Sequence, residues 1–176
     1  MSKLLKWYMN NKQVVWAGIK FVVYLGAFFI LLSSRLGEGE LIGRFNAVMA
    51  IFTGAILNMM GVSARADGPS VIGNLFSIQI ANGCNGVHVT ALVTAAMLAA
   101  PTGWMYRALG IAFTAIAIYV LNLGRAVSLF VIGSYRPQWF NFAHVYAWET
   151  VVVLSTLAIF MAWAGWSIPK GRQVSG

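Results

Sequence analysis

The sequence predicts an all-α polytopic membrane protein of about five to six transmembrane helices, with a small extended or hairpin segment at residues 62–83 on its outer surface. Three observations predict it. The chain has 176 residues, of which 60% are hydrophobic and only 9% charged, and its mean hydropathy is +0.77. A soluble domain carries roughly a quarter charged residues, so this chain lacks the polar surface that water demands. Its apolar residues fall into long runs, several of them near the ~20 residues that cross a bilayer. One stretch between the runs is too polar to span and alternates as a strand does. The whole chain, 1–176, reads as a single integral membrane domain.

The first run, about 14–33, follows Lys3, Lys6 and Lys12. That beginning imitates a secretory signal peptide. The run is long for one, however, and Ser33, Ser34 and Arg35 stand where a small-residue cleavage site would be, so it reads as a retained helix. Gly37, Glu38, Gly39 and Glu40 read as a turn. A second run, about 41–61, carries Ala47, Ala50, Gly54 and Ala55, which permit close helix contact. Asp67, Gly68 and Pro69 read as another turn. FSIQI, residues 76–80, reads as a short strand, with Val62 to Ala66 as its expected partner.

A third helix starts just after Cys84 and runs to about Ala100, where Pro101, Thr102 and Gly103 end it. The stretch from Trp104 to Tyr135, as one helix, is about 48 Å long at ~1.5 Å per residue. That exceeds a ~30 Å hydrocarbon core, so it protrudes, tilts or breaks. Arg136, Pro137 and Gln138 make a loop. The final span is about 143–165, with His144 at its start and Trp163 and Trp166 suited to the far interface.

The formal net charge is +8. The basic residues lie between apolar runs and near the termini rather than in one patch. They therefore suit anionic lipid headgroups and topology signals, and not nucleic acid. A lone cysteine forms no internal disulfide, and no CxxC or His/Cys cluster suggests zinc, so no metal or other cofactor is expected. The later spans place Cys84, the Arg125 end and His144 on one side, and Arg107, Lys170 and Arg172 on the other. The positive-inside rule then makes the cysteine side the outside. Counting back through two spans puts the lysine-rich N-terminus outside too, which violates that rule. Either the first segment is interfacial or re-entrant, or the rule is overridden.

Three groups on that outer side have chemistry to offer. Cys84 lies in ANGCNGVHV, residues 81–89, a glycine-flanked loop at a helix N-terminus. Such a terminus favours negative charge and hence a thiolate. Gly83 and Gly86 let the backbone turn tightly and a substrate approach. Most lone cysteines are instead small buried hydrophobes. Arg125 lies in LNLGRAVSL, with Asn122 and Tyr119 along the same helix stripe. It needs an anion, water or carbonyls nearby, and can serve as a clamp on an oxyanion. The bland alternative is an arginine snorkelling to headgroups. His144, in NFAHVYAW, has the titration range of a general base and acid, or is an interfacial histidine bonded to a carbonyl. His88 is its rival: it follows Cys84 by four residues, and spacing alone favours it. Glu149 and Asp67 are weaker candidates for an orienting carboxylate.

A Cys-Asn-Gly loop opening one helix, Asn-Leu-x-Arg in a second and a His opening a third resemble the exosortase/archaeosortase family. The motifs run from about Gly61 to Trp163 and include ANGCNGV, LNLGRAVSLFVIG and the final HVYAW. The short chain and the CNGV form look closest to the exosortase H subgroup. The resemblance implies a cysteine transpeptidase or protease at the outer face of the bacterial cytoplasmic (inner) membrane. Its substrates would be exported proteins with a C-terminal sorting signal: a short motif, a transmembrane helix and a basic end. The subgroup is associated with tails bearing an IPTLxxWG-like motif. Carried over by position, Cys84 is the nucleophile, Arg125 the transition-state stabiliser and His144 the acid/base. Backbone N–H groups near Asn85 and Gly86 would assist, and no family role falls on His88. Two readings compete with this one. A non-catalytic membrane subunit, such as a transporter partner or assembly factor, would carry an inert thiol. A haem protein would use His88 and His144, although these do not sit at paired positions on facing helices.

Overall fold

The structure is a computed structural model that describes residues 11–34 and 41–167. The turn expected at residues 37–40 lies outside them, as do Lys3, Lys6, Lys170 and Arg172. Each apolar run folds as a helix: α1 (Lys12–Ser33), α2 (Ile42–Met59), α3 (Val87–Ala99), α4 (Trp104–Tyr135) and α5 (Pro137–Ser167). All but α3 are long and apolar enough to cross a membrane. The 13 residues of α3 reach only about 20 Å at ~1.5 Å per residue. No residue of α1 is buried, and Val22, Val23, Ile30 and Leu31 are all exposed along it. An apolar surface of that extent needs lipid as its solvent.

Of the alternatives open to the long stretch from Trp104 to Tyr135, the chain takes an unbroken helix of 32 residues. Its two halves have different companions. The first half packs on α3 and α5, where Gly110 leaves room for the indole of Trp163, and Trp163 Nε1 donates to the Tyr106 carbonyl at 2.9 Å. The second half packs on α2, a small sheet and the opening turns of α5. There Met49, Leu57, Val71, Ile80 and Phe130 form a buried apolar cluster.

The helix directions settle which ends lie together. Lys12 and Trp16 of α1 border the same cavity as Ala99, Pro101 and Arg107. Phe28, Leu31 and Leu32, at the other end of α1, lie beside Gly86 and Val87. So α1 is antiparallel to α3. Early in α2, the Phe45 ring meets Tyr119 edge-on at 5.7 Å, and late in α2, Leu57 joins the Phe130 cluster. Thus α2 climbs α4 in the same direction and does not turn back along α1. Lys12, at the start of α1, therefore shares an end of the bundle with Arg107, and the two spans counted back from Cys84 reduce to one along the bundle.

The sheet is an antiparallel meander of β1 (Ala64–Asp67), β2 (Ser70–Gly73) and β3 (Ser77–Gln79). Asp67 pairs with Ser70 across the expected turn, where Gly68 has a φ of 55°. A two-residue hairpin loop favours glycine at such a position. The expected partner of the FSIQI strand is corrected: Ile72 pairs with Ser77, so β3 pairs with β2, and β1 is only β2's other neighbour. The glycines and serines flanking Val71 and Ile72 hide a strand, yet Val71 is wholly buried at the centre of the meander. The side-chain amide of Asn58 on α2 brackets Ala64, accepting from its N–H at 3.0 Å and donating to its carbonyl at 2.8 Å. That tie seats the sheet on α2.

Candidate active site

The cysteine loop is built from a turn and a set of asparagines. The Cys84 N–H donates to the Ala81 carbonyl at 3.1 Å. Helix α3 begins only at Val87, capped by Gly86 with a φ of 78°, so Cys84 precedes the helix rather than opening it. Asn85 is 2% exposed. Its side chain donates to Asn46 Oδ1 at 2.9 Å and accepts from the Val87 N–H at 3.1 Å. Asn46 in turn donates to Asn82 Oδ1 at 3.0 Å. One buried residue of α2 thereby holds both flanks of the cysteine. Buried amides need such partners, so the loop has little freedom to leave this arrangement.

Below the loop, Gly86 sits directly on Asn122. A Cβ at position 86 would stand 2.5 Å from Asn122 Nδ2. Asn122 is buried and donates to the Ile118 carbonyl at 2.9 Å. Asn85, Gly86 and Asn122 therefore form the floor of the loop.

Two long-range contacts converge on the sulfur. Arg125 Nη2 donates to Cys84 Sγ at 3.7 Å, and His144 Nε2 lies 3.7 Å from the same atom. Arg125 is half-buried, and its Nε is buried without a hydrogen-bond partner. A guanidinium so placed stabilises negative charge that develops at or beside the sulfur. The His144 ring stacks on Phe140, with centroids 5.7 Å apart and planes 13° from parallel. The sequence places His144 at the start of its span. The helical stretch instead begins at Pro137, and His144 falls in its π-helical segment, Ala143–Ala147. Such a segment re-aims the side chains of a helix and recurs at functional sites.

A cavity of about 70 Å³ borders the sulfur, walled by Ile78 and Gln79 of β3, Ala126 and Leu129 of α4, and Phe140. The sheet thus supplies one wall of the site. A larger apolar groove of about 550 Å³ starts at Asn85 and Gly86 and descends between Phe28, Leu31, Thr90 and Tyr119.

His88, Asp67 and Glu149 do not line the cavity at the sulfur. His88 faces α1, its ring 6.0 Å from that of Phe29, and it does not line the cavity. Asp67 is exposed beside the hairpin turn and Glu149 is exposed on α5. Among the described residues, no cluster of three or more His, Cys, Asp or Glu side chains could hold a metal ion. Asn46 is the residue that sequence reasoning missed. Its signal was available: an amide in an otherwise apolar run needs a polar partner, just as an ionisable group there does.

A family model described as transmembrane exosortase matches residues 7–163. The chain belongs to the transmembrane exosortase family. The match takes in α1 and α2, whereas the motifs legible in the sequence begin near Gly61. No curated protein and no solved structure matches. In this exosortase family member, the cysteine, arginine and histidine singled out from the sequence come together around one sulfur, drawn from the loop before α3, from α4 and from α5.

Proposed function

We propose that this protein is a cysteine transpeptidase that cleaves the C-terminal sorting signal of exported proteins at the outer face of the bacterial inner membrane. The single observation that carries the reading is the approach of both Arg125 and His144 to Cys84 Sγ.

In this mechanism, His144 Nε2 takes the thiol proton. The Cys84 thiolate attacks a peptide carbonyl just before the substrate's membrane helix, and Arg125 holds the resulting oxyanion with backbone N–H groups at Asn85 and Gly86. The C–N bond breaks, and the imidazolium returns its proton to the departing amine. A thioester now joins the substrate to Cys84. An acceptor nucleophile then attacks the thioester, passes its proton to His144, and regenerates the thiol. Water in the acceptor's place gives hydrolysis. The cavity walls at Ile78 and Gln79 receive the segment before the cleaved bond. Family membership supports the acyl-transfer class, and the basic end of the bundle supports a cytoplasmic position for Lys12 and Arg107.

The test is to mix purified protein with a synthetic tail of motif, apolar helix and basic end, quench with acid, and measure intact mass. A thioester adduct present on the wild type and absent from Cys84→Ala supports the proposal. A non-catalytic subunit would carry no adduct in either, and tail release by Cys84→Ala would sink the mechanism.

A further inference from the structure

At the end of the bundle away from the cysteine, a cavity of about 250 Å³ lies between α1 and the α3–α4 connection. Three of its lining residues are cationic: Lys12, Lys20 and Arg107. The chain has four carboxylate residues, Glu38, Glu40, Asp67 and Glu149. Neither Asp67 nor Glu149 lines this cavity, so among the described residues its positive charge meets no carboxylate. Arg107 is anchored rather than loose. Its Nη2 donates to the Ala100 carbonyl at 2.8 Å, completing the C-terminal end of α3. Its Nε is buried and has no hydrogen-bond partner. A buried donor left unmatched is costly, so native structures normally supply an acceptor for it. Trp16 lines the same cavity with half its surface exposed, a position suited to the headgroup level of a bilayer.

We propose that this cavity binds a phosphate-type anion, with Arg107 as its fixed donor and Lys12 and Lys20 as mobile counter-charges. The forked guanidinium has N–H groups left over from the Ala100 bond to meet phosphate oxygens. The source of the phosphate is a phospholipid headgroup of the surrounding leaflet or a free phosphate ion. The site stands apart from the cysteine cavity and shares no lining residue with it.

The experiment uses the full chain purified in a neutral detergent. The protein is reconstituted with phosphatidylcholine alone or with an equal mixture of phosphatidylcholine and phosphatidylglycerol. It is then re-extracted, and the retained lipid is identified by native mass spectrometry. A second arm measures the thermal midpoint with and without inorganic phosphate at matched ionic strength. Retention of phosphatidylglycerol over phosphatidylcholine assigns the lipid source, and a rise in midpoint with phosphate alone assigns the free ion. The affinity behind either effect should fall by roughly fivefold per charge removed in Lys20→Gln and in Arg107→Gln, with a smaller retained-lipid signal or midpoint rise. Lys20→Gln guards against a folding defect, because Lys20 is exposed on α1. No anionic preference together with no phosphate effect overturns the proposal, as does an effect that survives in both variants.

Discussion

Arg125 Nη2 rests 3.7 Å from Cys84 Sγ, although 41 positions of sequence separate the two residues. The contact joins a loop and the middle of a long helix, and neither residue could hold this position without the elements behind it. If the guanidinium stabilises the oxyanion, Arg125→Gln should lower the rate of tail release by about 10²–10³ with a smaller change in apparent substrate affinity. Single-turnover kinetics at saturating tail would check this. A purely structural arginine would give a lower thermal midpoint with an undiminished rate in the protein that remains folded.

His144 and His88 separate cleanly in the structure, since only His144 reaches the sulfur while His88 packs on Phe29. His144→Ala should therefore lose about 10²–10⁴ in acylation rate, the usual span of general acid–base catalysis. His88→Ala should keep most of its activity. Parallel acylation time courses for the two variants decide the matter, and a selective loss in His88→Ala would return the role to the nearer histidine.

Asn46 ties down Asn82 and Asn85 without touching the sulfur. Asn46→Ala leaves buried amides without partners and should cost about 1–3 kcal/mol of stability. It should also slow acylation by loosening the loop. Asn58→Ala offers the comparison, because Asn58 brackets Ala64 on the far side of the sheet. Its thermal midpoint should drop while acylation of the folded protein stays near wild type. Equal rate losses in both variants would show that Asn46 has no special hold on the cysteine.

Gly86 and Gly61 have nearly the same backbone, with φ of 78° and 79°, but only Gly86 has neighbours where a Cβ would go. Gly61→Ala should cost about 1–2 kcal/mol from the left-handed backbone alone. Gly86→Ala should cost that and more, because its methyl meets Asn122 and Ile118. Chemical denaturation of the two variants measures the difference. Adding Asn122→Ala to Gly86→Ala should recover part of the excess.

The residues around the sulfur were legible because each is chemically conspicuous where it stands. A thiol among glycines and asparagines, an arginine inside an apolar run and a histidine beside one all need an explanation from sequence alone. The helices were legible for the same physical reason, since lipid requires long apolar runs. The elements that escaped are those whose local sequence carries a weaker mark. The strand Ser70–Gly73 is short and surrounded by turn residues, and only its place between two other strands makes it one. The π-helical segment at Ala143–Ala147 has no composition of its own. The direction of α2 depends on which faces of α4 receive Phe45 and Leu57, and no local periodicity encodes that.

That direction has an arithmetic consequence. Because α2 continues past the end of α1, the segment from Leu41 to Gly83 leaves the bundle and rejoins it at one level, where Phe45 and Gly86 border the same groove. The remaining helices α1, α3, α4 and α5 run alternately up and down the bundle, which leaves both ends of the described chain at one end of it. The excursion contributes nothing to that alternation. A change in its length would leave the direction of the helices that carry Arg125 and His144 unaltered. The hairpin that walls the cavity at Ile78 and Gln79 lies within that excursion, and so does Asn46, which ties its base to the cysteine loop.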